Sequence, residues 1–127
     1  MSCADLATRI NKSLPLTMRV LTELIEKGYV VETGYAPSSG GRRPLMYSVR
    51  PDIMYIVAVA MDQFVTRIVI MDMGNNYVTP VEKFELSLAN EETSLELLTS
   101  KINKVIASSG IEKDKIAGIG IGMPGFV

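Results

Sequence analysis

Two hydrophobic periodicities divide this chain, and the change between them at Arg50-Pro51-Asp52 limits what it can fold into. Before that point apolar residues recur at helical spacing. After it they run almost unbroken from Tyr55 to Met61 and again from Val65 to Met71, as buried strands do. Neither a uniform helical bundle nor a single all-β unit accommodates both halves, while 127 residues suffice for two small units. The chain therefore reads as α/β, with domains expected at residues 1–52 and 53–127.

In the front half, Leu6 and Ile10 mark a brief helix. Ser13 offers an N-cap and Pro15 is tolerated in a first turn, so a second helix is predicted from Leu14 to Lys27. Leu14, Met18, Leu21 and Ile25, with Leu24 beside them, predict its buried stripe. Leu16, Arg19, Thr22, Glu23 and Glu26 form the opposite face, and Gly28 stops the helix. Tyr29–Thr33 and the alternating Leu45, Tyr47 and Val49 predict a hairpin with a long tip from Gly34 to Pro44. Helix, tight turn, helix and hairpin is the order of a winged helix-turn-helix.

In the back half, Asp62-Gln63-Phe64 separates the two apolar runs, and Gly74-Asn75-Asn76 turns the chain into a third strand predicted from Tyr77 to Leu88. Thr93-Ser94-Leu95-Glu96 reads as a capping box for a helix that buries Leu95, Leu98, Ile102, Val105 and Ile106 and stops at Gly110. Ile116–Ile121 reads as a buried strand reached by a crossover, which makes the sheet mixed.

Composition removes much chemistry. With no histidine and one cysteine, Cys3, the chain alone builds no zinc finger, Ser-His-Asp triad, Cys-His pair or disulfide framework, so no catalytic or metal-binding residue is assigned. The eight methionines scatter through apolar segments and read as core filling. No apolar run approaches a membrane span and Met1–Ile10 lacks the pattern of a signal peptide, so a cytoplasmic protein without a membrane partner is expected. Residues 1–54 carry a net charge of +2 and the remainder −3, a mild bias toward a polyanion at the front.

The predicted second helix supplies a reading surface. Arg19 suits a guanine edge or a phosphate, Ser13 and Thr17 suit phosphates near the helix start, Leu16 suits a thymine methyl, and Thr22 shares that face. Glu23 and Glu26 repel phosphate and confine contact to the first turns. At the hairpin tip, Gly40 and Gly41 let the backbone approach a groove while Arg42 or Arg43 reaches into a narrow minor groove. Each feature alone also fits a solvated surface; together, at this spacing, they favour double-stranded DNA. In the back half, Asp62 suits a metal, a nucleotide or a simple turn cap, with the turn cap the better default. The glycine-rich turn of Gly118, Gly120, Gly122, Pro124 and Gly125 suits backbone contact with phosphate or sugar, or close strand packing.

Ala4-Asp5-Leu6-Ala7, the run from Leu14-Pro15-Leu16-Thr17-Met18-Arg19 to Gly28-Tyr29-Val30, and Ser38-Ser39-Gly40-Gly41-Arg42-Arg43-Pro44 resemble the DNA-binding head of ROK-family (repressor, open reading frame, kinase) transcriptional repressors. Gly118-Ile119-Gly120-Ile121-Gly122-Met123-Pro124-Gly125 is similar to that family's glycine-rich loop near the sugar site. The resemblance implies a winged helix-turn-helix joined to the first part of a sugar-kinase-like domain of the actin-like ATPase fold, from about Val57 onward. It implies a homodimer or higher homo-oligomer on a two-fold DNA operator, and a sugar or sugar-phosphate effector in a longer protein. It assigns Asp62, Thr66, Gly120, Gly122, Pro124 and Gly125 to a ligand loop.

The pattern departs from the family at the kinase phosphate loop, Asp-x-Gly-Gly-Thr. Aligning Asp62 and Thr66 puts Phe64 and Val65 where the glycines stand, and their side chains block the approach of phosphates. The expectation is a regulator of carbohydrate metabolism rather than an enzyme; an ATP-dependent sugar kinase with an appended head is the alternative. The family's catalytic aspartate and its cysteine-rich zinc motif match nothing in this chain, so no cofactor is expected within it, and zinc only in a full-length member. A family head also carries a helix ahead of Ala4-Asp5-Leu6-Ala7 that covers Leu6, Leu21 and Ile25, so these 127 residues alone are expected to be marginal or self-associated.

Overall fold

A computed structural model describes residues 1–37, 40–86 and 91–124, with the side chain of Glu91 also outside the described set. The chain divides into two compact units, Met1–Arg50 and Pro51–Val127.

The first unit begins with helices α1 (Cys3–Ile10) and α2 (Leu14–Glu26), joined by the turn Asn11-Lys12-Ser13. Ser2 caps α1 by accepting from the Asp5 N–H at 3.1 Å, and Asn11 ends it in the left-handed region at φ 55°, its N–H on the last carbonyls. Ser13 caps α2 in turn. Gly28, at φ 82°, takes the chain out of α2 into a hairpin of β1 (Val30–Tyr35) and β2 (Leu45–Val49), with a register shift between Glu32 and Gly34. Ahead of α1, Met1 and Ser2 lie along β2: the Met1 amino group donates to the Tyr47 carbonyl at 3.1 Å, and the Tyr47 N–H donates back to the Met1 carbonyl at 2.8 Å. Cys3, Leu21, Val30 and Tyr47 form the core, with Leu6, Leu24, Ile25 and Leu45 packed against it. Burial, reinforced by the charge of Glu32, pushes the Tyr47 phenol above its ordinary value.

The stripe on α2 differs from the expected one. Leu14 is 52% and Met18 42% exposed, whereas Thr17 and Leu21 are buried and Leu24 and Ile25 half-buried. At about 100° per residue the buried face is rotated by roughly 45° from the predicted stripe, toward Thr17. The two helices pack with Cys3 and Ala7 buried on α1 and Thr17 and Leu21 buried on α2, so burial follows the helix pairing and not the apolar stripe alone.

The second unit is a four-stranded sheet in the order β5-β4-β3-β6, from β3 (Tyr55–Met61), β4 (Val65–Asp72), β5 (Glu82–Glu85) and β6 (Ile116–Gly122), with helix α3 (Glu91–Ser109) between the last two strands. Strands β3, β4 and β5 pair antiparallel and β6 pairs parallel to β3, the mixed sheet that the crossover predicts. Val57, Val59, Ile68 and Ile70 share one face and pack with Leu98, Ile102 and Val105 of α3. Asp72 organises the turn after β4: one carboxylate oxygen accepts from the N–H groups of Gly74 (2.8 Å) and Asn76 (2.9 Å). Those bonds, the Asn76 backbone first, hold its carboxyl below the usual range.

Four expectations change. The third strand runs over Glu82–Glu85 and does not start at Tyr77, which makes only an isolated bridge to Met71; its expected end at Leu88 lies outside the described residues. Helix α3 begins at Glu91, so Thr93 sits inside it and is not its cap. Leu95 is 65% exposed because it lies in the first turns of α3, beyond the part that meets the sheet. Strand β6 is an edge: Ile119 and Ile121 pair with Val57 and Val59 yet are each 51% exposed, so the strand forms where predicted but is not buried.

Candidate nucleic-acid interface

The start of α2 is built by Ser13, whose hydroxyl accepts from the Leu16 N–H at 3.3 Å, and by Pro15, which needs no donor in the first turn. The cap leaves the hydroxyl proton of exposed Ser13 available. Leu16 and Arg19 are exposed on the same face, and Arg19 enters no ion pair among the described residues. Exposed Thr22 gives its proton to the Met18 carbonyl at 2.9 Å and so presents oxygen lone pairs outward.

Thr17 does not join this surface. It is 2% exposed, and its hydroxyl donates to the Ser13 carbonyl at 2.8 Å. Its assignment to phosphate is corrected: the side chain packs the helix pair, which spacing alone does not reveal because a threonine is polar by type.

The hairpin narrows to a neck where the Ala36 N–H donates to the Pro44 carbonyl at 2.9 Å. Beyond it lie Gly40, at φ 93° with open space around it, Gly41, and the exposed Arg42 and Arg43; Ser38 and Ser39 lie outside the described residues. Arg42 and Arg43 are thus exposed on the tip side of the closed neck. Tyr35, 69% exposed at the neck, adds an aromatic ring that the sequence reading passed over; its signal was an aromatic two residues before Pro37, at the end of a strand.

In the second unit, Asp62 is occupied by its own turn, accepting from the Gln63 N–H at 2.7 Å while its N–H donates to the Val65 carbonyl at 2.8 Å. Thr66 is fully buried in β4 on the face that α3 covers, and its hydroxyl has no hydrogen-bond partner among the described residues. A ligand outside the sheet does not reach it, which corrects its place in a ligand loop. Gly120 and Gly122 lie on β6 opposite Ala58 and Ala60, so the Asp62 turn and the segment leading to Pro124 meet at the same end of two parallel strands; Gly125 lies outside the described residues. A cavity of about 320 Å³ along α3 is lined instead by Thr79, Pro80, Glu82, Lys101, Lys104, Val105, Ser108 and Ser109. The residues present do not fit a zinc site: the one cysteine is buried, there is no histidine, and the described residues hold no cluster of three acidic, cysteine or histidine side chains. No described helix is long and apolar enough to cross a membrane.

No family model matches the chain. Among curated proteins it is similar to a xylose repressor of Caldicellulosiruptor bescii, 35% identical across 94% of this chain and 31% of that protein. It is also similar to a putative xylose repressor of Caldicellulosiruptor sp. strain Rt8B.4, 28% identical across 99% of this chain and 32% of that protein. The chain thus spans about a third of the length of these relatives. Its fold is similar to a solved structure described as a ROK family transcriptional regulator, homolog of the E. coli MLC protein, with a TM-score of 0.67 over 98% of this chain and 32% of that one, at 16% identity.

Proposed function

From its place in the ROK family of transcriptional regulators, we propose that this chain is the DNA-binding head and adjoining sensor segment of a sugar-responsive repressor. Met1–Arg50 acts as a winged helix-turn-helix in which α2 enters the major groove through Ser13, Leu16, Arg19 and Thr22. The wing carries Arg42 and Arg43 to the adjacent minor groove, with Gly40 and Gly41 allowing close approach. The observation that carries this reading is the hairpin neck closed between Ala36 and Pro44, with exposed Arg42 and Arg43 at its tip, on the unit that also bears exposed Leu16 and Arg19.

Pro51–Val127 is read as the first part of a sugar-kinase-like domain of the actin-like fold that senses a sugar or sugar phosphate without phosphorylating it. Phe64, 68% exposed in the β3–β4 turn, supports that reading because its side chain stands where a kinase phosphate loop needs a bare backbone. The active species is a cytoplasmic dimer on a two-fold operator, and effector binding shifts its DNA affinity by favouring one of two states. The test is an electrophoretic mobility shift with genomic fragments, followed by titration with a panel of pentoses, hexoses and their phosphates. Retarded fragments that are released by one sugar support the proposal. Unchanged affinity in Arg42→Ala/Arg43→Ala refutes the role of the wing, and phosphoryl transfer from ATP to a sugar by the full-length protein refutes the non-enzymatic reading.

A further inference from the structure

We infer that Arg9 and Lys12 form a phosphate clamp that docks the α1–α2 turn on the DNA backbone and so sets which end of α2 enters the groove. The inference rests on the reading of Met1–Arg50 as a DNA-binding head and extends it to two residues outside the reading surface. Residues 9–19 hold three cations, Arg9, Lys12 and Arg19, and no acid; residues 20–32 hold Glu23, Glu26 and Glu32 against Lys27.

The fold turns this sequence order into a polarity in space. Arg9 lies in the last turn of α1 and Lys12 in the connecting turn, so these two sit at the end where the helices meet, with Arg19 midway along α2 and Asp5, the nearest acid, one turn before Arg9. Along α2, Glu23 and Glu26 lie about 15 and 20 Å from Ser13 at 1.5 Å per residue. Both distances exceed one Debye length at 0.1 M salt, about 10 Å, so a phosphate at the turn feels Arg9 and Lys12 while these two acids are screened. Arg9 and Lys12 are exposed and, among the described residues, neither enters an ion pair. Nor are they needed to finish α1, since the backbone N–H groups of Asn11 and Lys12 already satisfy its last carbonyls. Lys27, by contrast, pairs with Glu23 at 3.6 Å at the far end of α2.

The test needs no operator, because phosphate contacts act on any duplex. Binding of a fluorescent random-sequence 30-bp duplex is followed by anisotropy between about 50 and 200 mM salt for the full 127-residue chain and for Arg9→Gln, Lys12→Gln, Lys12→Arg and Lys27→Gln, with helicity checked by circular dichroism. Losing one contact is expected to reduce the log–log salt slope by about 0.9 and the affinity at 0.1 M by about 8-fold. Arg9→Gln and Lys12→Gln are expected to do so, while Lys12→Arg retains the slope and Lys27→Gln leaves it unchanged. Unchanged slopes for Arg9→Gln and Lys12→Gln in a chain that still binds overturn the clamp alone. An equal fall for Lys27→Gln also overturns it, because net charge then accounts for the effect. No duplex binding by the unsubstituted chain overturns the head reading itself.

Discussion

Replacing Thr66 by valine is expected to stabilise the second unit. Thr66 is fully buried on the helix-covered face of β4, and its hydroxyl finds no partner among the described residues. A buried hydroxyl without a hydrogen bond costs about 1–3 kcal/mol. Valine keeps the branched shape that suits a strand and puts a methyl group in the oxygen's place, adding up to about 0.8 kcal/mol of apolar burial. Allowing for imperfect fit of the larger methyl, the net gain is set at about 1 kcal/mol, or roughly 4–8 °C in Tm for a unit of this size. The assay is urea and thermal unfolding followed by circular dichroism, since the chain has no tryptophan. Thr66→Ser, which keeps the hydroxyl and loses the buried methyl, is expected to be about 1 kcal/mol less stable than the parent. The opposite pattern, a destabilised valine variant beside a neutral serine variant, refutes the reasoning. It would mean that the hydroxyl makes a bond worth keeping and would return Thr66 to the candidate ligand groups.

The rotated stripe on α2 predicts that Leu21→Ala costs about 2–5 kcal/mol while Leu14→Ala and Met18→Ala cost under about 1, measured by denaturant unfolding of the first unit. Gly110→Ala, at φ 74° with open space around it, is expected to cost about 1–2 kcal/mol from backbone conformation alone, read as a fall in Tm. Asp72→Asn is expected to lower Tm at pH 7. Because the folded carboxyl lies below the ordinary aspartate value, the stability it contributes is present above that value and lost as pH falls through the folded one, so the two proteins should converge in acid. Arg19→Ala is expected to cost about 1–3 kcal/mol at one base pair of a preferred site and to relax the choice there, whereas Arg42→Ala should weaken binding to sites with a narrow minor groove most.

Local signals carried the elements well. Caps at Ser13 and stops at Gly28 and Gly110 lie where the residues predict them, because a side-chain acceptor or a positive φ is needed there whatever surrounds the helix. The apolar runs of β3 and β4 were legible for a similar reason, since few other folds bury two such segments three residues apart. The start of α3 was not legible, because a plausible capping box at Thr93 competed with helix formers further upstream. The wing arginines and the exposed start of α2 could be read as a candidate surface from charge and glycine content. Thr17 and Thr66 misled the reading, both polar by type yet buried by position.

By itself, then, the sequence determined the element types, the division near Arg50 and an inventory of side chains with one cysteine and no histidine. Those follow from backbone preference and covalent chemistry, which travel with each residue. Only the tertiary structure decided which side of α2 faces α1, that β6 forms an open edge, and that the Thr66 hydroxyl lies inside a core. Burial is a property of the surface brought opposite, which is why polar Thr17 is buried on α2 while apolar Leu14 is left exposed.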